Sequence, residues 1–339
     1  MSGGVDSSVA AALMARRGYD VIGLTMQIWQ ESQTDPRHAG CCSLGAVEDA
    51  RRVARQIGIP HYVMNFKEEF RRNVIDNFVE EYAAGRTPNP CVQCNKHVKF
   101  EILMQKMREL GCSKLVTGHY ARIRRSADGR CRLLKARGQW KDQSYVLYML
   151  GQEQLSETLF PMGEISDKAM TRKMAEEFGL HLAQKPDSQE ICFVSEAGGY
   201  QEFLRKTRSS MFRKGDVVDS SGKKLGEHEG VAVSVGKPLY VLSLEPKENR
   251  VVVGDADELL TKEVPLGDMY WHVPESTTGL RVEAKIRYNM EARPARLYGG
   301  PTPRLVFDNP VRAATPGQMA VCYRGKTVVA GGTIAGPRS

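Results

Sequence analysis

The chain opens Met1-Ser2-Gly3-Gly4-Val5-Asp6-Ser7-Ser8 and runs on into Val9-Ala10-Ala11-Ala12-Leu13, an apolar stretch that stops at Gly18. Two adjacent glycines let a backbone approach an anion closely. The pattern after them predicts a helix over 7–17, which aims its unpaired N–H groups and its positive dipole end at the same point. Ser7 and Ser8 add hydroxyl donors, and Asp6 offers oxygen to a Mg²⁺ ion. The string reads as an anion-binding loop at a helix start. It has no Walker lysine: Gly236-Lys237-Pro238 lacks both the Ser/Thr and the glycine spacing, and no GxGxxG occurs. Such a loop ordinarily follows a buried strand, so the chain is expected to begin further upstream than Met1 or to be a fragment.

Working outward from the loop, strand-like runs at 20–27, 61–66 and 114–117 alternate with helical patterns at 47–56, 67–83 and 96–110. Strands separated by helices imply a parallel sheet covered on both faces. After about residue 210 the texture changes to short runs at 231–235, 239–244 and 250–253, punctuated by Gly, Pro and Asn, and then to a second β-rich set from 281 to 334. Pro246-Lys247-Glu248-Asn249 reads as a hairpin turn. The expected architecture is α/β: an N-terminal parallel-sheet domain at 1–200, a small central β-rich domain at 201–262 and a C-terminal β-barrel at 263–339.

A chain of 339 residues suits two or three cores rather than one. No apolar run approaches the ~18 residues of a membrane helix. The start lacks the basic, apolar and small-residue order of a secretion signal, so a cytoplasmic protein with no membrane partner is expected. Net charge is +8. Between His272 and Ser339 ten Lys/Arg stand against Glu275, Glu283, Glu291 and Asp308. This places most of the excess in the last fifth of the chain, and it reads either as a phosphate-backbone footprint or as a solvated basic face.

The eight cysteines are Cys41, Cys42, Cys91, Cys94, Cys112, Cys131, Cys192 and Cys322. In a cytosolic chain they predict no disulfide framework, and catalytic or metal use for those that cluster. Cys41 and Cys42 read as non-catalytic. Cys112, Cys131 and Cys322 read as small apolar packers. Thr87-Pro88-Asn89-Pro90-Cys91-Val92-Gln93-Cys94 lies between two helical patterns, with Cys94 at or just before the first turn of the second. There the helix dipole favours thiolate. Lys185-Pro186-Asp187-Ser188-Gln189-Glu190-Ile191-Cys192-Phe193 presents another thiol in a polar stretch.

The opening string resembles the PP-loop of ATP pyrophosphatases, which cleave ATP between the α and β phosphates to adenylate a substrate. SGGVDSS, TPNPCVQCNKHVKF, TGHYARI, KDQSYVLYML, KPDSQEICF, GEHEG and KIRYN occur in the order found in tRNA-specific 2-thiouridylases. The resemblance covers nearly the whole chain. It implies ATP-dependent thiolation of C2 of the wobble uridine in tRNAs for Lys, Glu and Gln. The products would be 2-thiouridine, AMP and pyrophosphate. Ser2, Gly3, Gly4, Val5, Asp6, Ser7 and Ser8 would hold the phosphates, with Mg²⁺, and Met26 and Gly118 the adenosine. Asn89, Pro90 and Cys91 would meet the target base. Lys141, Asp142, Gln143, Arg287 and Tyr288 would contact tRNA. Cys192 would carry a persulfide, supplied by a sulfur-carrier protein or a cysteine desulfurase. Cys94 would be its nucleophilic partner, with a transient Cys94–Cys192 disulfide. His119 carries no assigned role.

Two departures bear on this reading. Cys91 stands where many members have an acidic residue. Together with Cys94 and Cys192 it makes three soft ligands, which could hold a [4Fe-4S] cluster with one open iron. A basic, Gly-rich segment usual after Gly230 is absent, since 231–236 runs directly into Lys237. Two other readings stay open: a PP-loop synthetase using ammonia, with no need of either thiol, and an RNA-binding protein with a relic nucleotide site.

Overall fold

Gly4 is extended, and α1, Val5–Arg16, starts directly after it. The structure, a computed structural model, describes residues 1–28, 44–186, 191–194, 198–229 and 239–336. Cys41, Cys42, the run at 231–236 and Asp187 to Glu190 lie outside the described residues. The chain forms two units. The first comprises Met1–Ile75, Cys91–Ala197 and Lys326–Val328; the second comprises Asp76–Pro90, Gly198–Gly325 and Val329–Ser339.

In the first unit α1 is apolar on most of its circumference, burying Val5, Ser8, Val9, Ala10, Ala11, Ala12 and Met14. A helix of that kind belongs inside a domain, and its alanines let neighbours come close. Val5, Val9 and Ala10 share a core with Val53, Tyr120, Met162, Leu180 and Leu182. Strand β1 (Gly23–Gln27), helix α2 (Leu44–Ile57) and strand β2 (His61–Asn65) follow in order. β1 and β2 pair in parallel from Gly23 opposite His61 to Gln27 opposite Asn65; such pairing needs a crossover. Helical turns continue as α3 (Lys67–Phe70) and a π-wound turn over Arg71–Ile75, and the chain then passes into α4 (Asp76–Ala83), which belongs to the second unit. They fill the span that the periodicity predicts.

The second cysteine-rich stretch departs from expectation. Helix α5 (Pro90–Gln93) begins at Pro90, a residue suited to a first helical position, and passes into a π-wound segment over Cys94–Ile102 and then α6 (Leu103–Glu109). Cys94 therefore lies a turn inside the helical run, not at its start. π-winding is rare and gathers at functional sites.

Strand β3 (Leu115–Val116) pairs in parallel with β6 (Thr158–Leu159). Between them β4 (Ala121–Arg125) and β5 (Cys131–Lys135) form an antiparallel hairpin. Asp128-Gly129 at its turn is the signal that marks it. Helix α7 (Gln152–Glu157) precedes β6. Helix α8 (Lys168–Glu177) is capped by Asp167, whose side chain accepts the Met170 N–H. The parallel strands of the first unit thus occur, among the described residues, as two two-stranded pairs.

In the second unit α9 (Tyr200–Thr207) precedes β7 (Lys214–Val218), β8 (Lys224–Glu229), β9 (Tyr240–Glu245) and β10 (Arg250–Gly254). These make a mixed sheet in the order β8-β7-β10-β9 with β7 and β10 parallel. The β9–β10 turn falls on Pro246 to Asn249 as predicted; Asn249 takes φ 52° and donates its N–H to the Pro246 carbonyl. Six strands follow: β11 (Leu260–Trp271), β12 (Leu280–Lys285), β13 (Arg293–Tyr298), β14 (Arg304–Arg312), β15 (Met319–Arg324) and β16 (Thr327–Ile334). They close into a barrel in the order β11-β14-β13-β12-β15-β16, β11 pairing back to β16 from Leu266 opposite Ile334 to Trp271 opposite Ala330. Val264, Val282, Leu297, Leu305, Phe307 and Cys322 fill its interior. Burial pushes the Cys322 thiol up to about 12, which suits an inert packer.

Candidate active site

The opening loop is shaped by backbone clearance. Gly3 takes φ 65°, a conformation glycine adopts without strain, and a Cβ there would strike the Ala46 backbone. Gly118 presses on the loop from the other side: a Cβ would lie 2.8 Å from the Ser7 nitrogen and 2.9 Å from the Asp6 carbonyl carbon. The N-cap residue, Gly4, has no side chain to cap the first turn of α1, which suits that turn's N–H groups to an anion. The Ser8 hydroxyl is buried and donates to the Gly4 carbonyl at 2.9 Å. The Ser7 hydroxyl donates to the same oxygen at 3.2 Å, and Ser2 Oγ lies 3.0 Å from it. Val5 contributes backbone alone, its side chain being core. Ser7 and Ser8 thus brace the turn here, where the sequence suggests phosphate donors.

Asp6 is the centre of the site. Its Oδ2 accepts from Lys141 Nζ at 2.7 Å, and its Oδ1 accepts from Lys168 Nζ at 2.8 Å and from the Tyr120 hydroxyl at 2.7 Å. Tyr120 also lies 2.9 Å from Thr171 Oγ1, one turn past Lys168 on α8. Among the described residues no three His, Cys, Asp or Glu side chains converge to hold a metal. The loop's single carboxylate is already engaged by two ammonium groups. The donor set does not fit a protein-held Mg²⁺, nor does it gather Cys91, Cys94 and Cys192 as cluster ligands.

The Lys141-Asp142-Gln143 triplet is half-buried. Asp142 Oδ1 accepts the N–H groups of Ala136 and Ser144, at 3.0 and 3.2 Å. Gln143 and Tyr120 exchange two hydrogen bonds, Tyr120 N–H to Gln143 Oε1 at 2.9 Å and Gln143 N–H to the Tyr120 carbonyl at 2.8 Å. Just beyond, the Val146 carbonyl accepts Asn95 Nδ2 at 2.9 Å, and Asn95 Oδ1 accepts Lys99 Nζ at 3.0 Å. Asn95 is buried and adjoins Cys94. Hydrogen bonds thus tie the anion loop through the triplet to the helix that carries this thiol.

Cys94 is 9% exposed and Cys91 is exposed; Cys192 is half-buried. Phe193, next to Cys192, is buried with its ring edge-on to Phe70 of α3 at 5.8 Å. The π-wound segment that begins at Cys94 packs against α3 as well. Segments holding thiols far apart in sequence are therefore anchored on one helix. Lys185 donates to the Gly3 carbonyl at 2.9 Å and to Asp49 Oδ2 at 2.7 Å; His181 meets Asp49 Oδ1 at 3.0 Å. Burial alone would push the Asp49 carboxyl up, yet the Lys185 and His181 hydrogen bonds hold it below the ordinary carboxylate range. His119 is pushed well down by burial, then by the charges of Lys99 and Lys141, so its ring is neutral at pH 7.

Met26 lies half-buried on β1 opposite Met64. In the second unit, Thr87 N–H donates to the Pro316 carbonyl at 2.8 Å and Gln318 Nε2 donates to the Thr87 carbonyl at 2.9 Å, fastening the segment that leads to Asn89 and Pro90. Arg287 is exposed but donates to the Arg312 and Ala313 carbonyls at 3.0 and 2.6 Å. Tyr288 is exposed with Lys285 Nζ 5.8 Å from its ring centre. Lys168, Thr171 and Asp49 escape sequence reading: a lysine at a helix start ordinarily reads as a surface charge.

An anion loop whose carboxylate meets two ammonium groups, tied to a helix-borne thiol and followed in the chain by a closed barrel, defines an α/β protein of the nucleotide-loop class with an appended β-barrel. Residues 1–196 match the family described as tRNA methyl transferase HUP domain, and residues 261–334 match the aminomethyltransferase beta-barrel domain. The tRNA-specific 2-thiouridylase MnmA of Clostridioides difficile is 46% identical over 98% of this chain and 96% of its own length. Those of Lachnoclostridium phytofermentans and Geobacter metallireducens are each 46% identical over 98% of this chain, and over 98% and 95% of their own lengths. The chain belongs to the tRNA-specific 2-thiouridylase family. No helix among the described residues is long and apolar enough to cross a membrane.

Proposed function

We propose that this chain adenylates the C2 carbonyl oxygen of the wobble uridine in tRNAs for Lys, Glu and Gln with ATP, and replaces that oxygen with sulfur carried by Cys192. The observation that carries the reading is the route from Asp6 to Lys141 by a hydrogen bond, along the backbone to Gln143 and Val146, and from the Val146 carbonyl to Asn95 by a second hydrogen bond. It joins the anion loop to the helix bearing Cys94.

A uridine carbonyl carbon is a weak electrophile with a poor leaving group. When O2 attacks the α phosphorus of ATP, an O–P bond forms, the bridging bond to the β phosphate breaks, and N3 loses its proton. The N–H groups of the first turn of α1 hold the phosphates, and positioning supplies most of the acceleration. Gly118, pressed against the loop, leaves room for the adenosine beside Met26, and Asn89, Pro90 and Cys91 receive the base. The terminal sulfur of a Cys192 persulfide attacks C2 and AMP departs. Cys94 thiolate then attacks Sγ of Cys192, leaving sulfur on C2 and a Cys94–Cys192 disulfide that an external dithiol reduces. An anticodon base, already single-stranded, costs little to extrude. A persulfide-carrying protein or a cysteine desulfurase supplies the sulfur.

The test is to incubate the protein with ATP, Mg²⁺, a persulfide donor and tRNA and to read nucleosides by mass spectrometry. 2-Thiouridine should appear at the wobble position and vanish with Cys192→Ser. Undiminished product from that variant removes Cys192 from the reaction.

A further inference from the structure

The anion loop has a charge problem. Asp6 sits in the first turn of α1, where its carboxylate opposes the helix dipole's attraction for a phosphate. The loop has no lysine of its own, and the first cationic side chain in the chain is Arg16. The fold answers with two ammonium groups from distant sequence. Lys141 comes from 135 residues away and Lys168 from 162, one on each oxygen of Asp6, with side chains only 20% and 17% exposed. Each oxygen of Asp6 is thus met by an ammonium group held at the loop.

We infer that Lys168 is a catalytic residue of the adenylation step, its Nζ contacting the β and γ phosphates of ATP and the pyrophosphate that leaves, with Asp6 aiming it. The inference rests on the adenylation reading above. Three features make Lys168 the stronger candidate of the two lysines. It is the first residue of α8, whose N-terminus is fixed by the Asp167 cap. α8 packs directly on α1. Thr171, one turn on, is held to Tyr120, which itself donates to Asp6. The ammonium is therefore placed by a rigid helix, whereas Lys141 comes from a short 3₁₀ turn. During the step, negative charge grows on the bridging oxygen as the electron pair leaves with pyrophosphate. A fixed cation there stabilises the transition state more than the ground state.

The experiment compares wild type with Lys168→Met, Lys168→Gln and Lys168→Arg. It measures pyrophosphate release with tRNA, and equilibrium binding of a non-hydrolysable ATP analogue and of AMP. Losing one charged donor should slow pyrophosphate release by about 10²–10³-fold and weaken the ATP analogue by about tenfold or more. AMP, which lacks the β and γ phosphates, should bind as in wild type. Lys168→Arg should recover most of the rate, and Lys168→Gln, still able to hydrogen-bond Asp6, guards against a folding defect. Near-wild-type pyrophosphate release by Lys168→Met, or equal loss of ATP analogue and AMP binding in both neutral variants, overturns the inference, the second because it marks a merely structural role. If wild type makes no 2-thiouridine while the contrast between ATP analogue and AMP holds, the thiolation reading fails and the phosphate contact stands.

Discussion

The anion loop and the C-terminal barrel are built on opposite principles. The loop is held by backbone clearance and by charges that meet from 135 and 162 residues apart. The barrel is held by volume: Leu297, Leu305 and Phe307 fill an interior closed by the pairing of its first strand, β11, with its last, β16. Surface charge contributes little there. Arg281 pairs with Asp308 through two bonds of 2.7 and 2.6 Å, both groups exposed. The basic excess of the last fifth is thus partly neutralised within the protein, and a phosphate-binding face must rest on fewer cations than the sequence counts. Polar precision serves chemistry in one region, and apolar filling serves stability in the other.

Phe307→Ala should give the largest effect. It removes a buried ring and costs about 3–5 kcal/mol, a shift of at least a hundredfold in the folding equilibrium, read by urea denaturation. Gly118→Ala should behave in the opposite way. Its Cβ displaces the loop backbone at Ser7, so ATP-dependent pyrophosphate release should fall by about a hundredfold while the urea midpoint barely moves. If Gly118→Ala lowers the midpoint as far as Phe307→Ala does, the contrast between the regions is gone.

Acid should separate the regions more gently. The native Asp49 carboxyl lies below its unfolded value, so the Lys185 tether to the loop adds stability fully present above the ordinary carboxylate range. That stability is lost as pH falls through the lower native value. Thermal midpoints measured between pH 3 and 7 should show this acid-side loss in wild type and not in Asp49→Asn. The smallest effect belongs to Arg281→Ala, where solvent screens the pair. Its thermal midpoint should match wild type, and a clear drop would show that barrel charges matter more than their exposure implies.

Much of the first unit is legible in the primary structure because its signals are local. Gly3 and Gly4 before an alanine-rich run announce the loop and α1. β-branched runs bounded by Gly and Pro announce β1 and β2; in the second unit Pro246 to Asn249 announces a turn. The site is legible only in part. Lys141 is found through its motif, yet its partner is not; Asp142 and Gln143 bond to Ala136 and Tyr120. The helix at Cys94 starts earlier than its periodicity suggests because Pro90 opens it. Lys168 leaves no trace, since a lysine after a capping aspartate is ordinary in any surface helix.

The sequence alone marked the opening loop, the helix after it and the turn at Pro246 to Asn249, because those follow from the dihedral and hydrogen-bonding limits of neighbouring residues, whereas the clearance at Gly118 comes from contact with the distant loop. Which cations meet Asp6, and which thiol-bearing segments share α3, only the folded chain decided. Such pairings depend on where distant segments cross, and charges that attract over a few ångströms carry no mark of their partner along the chain.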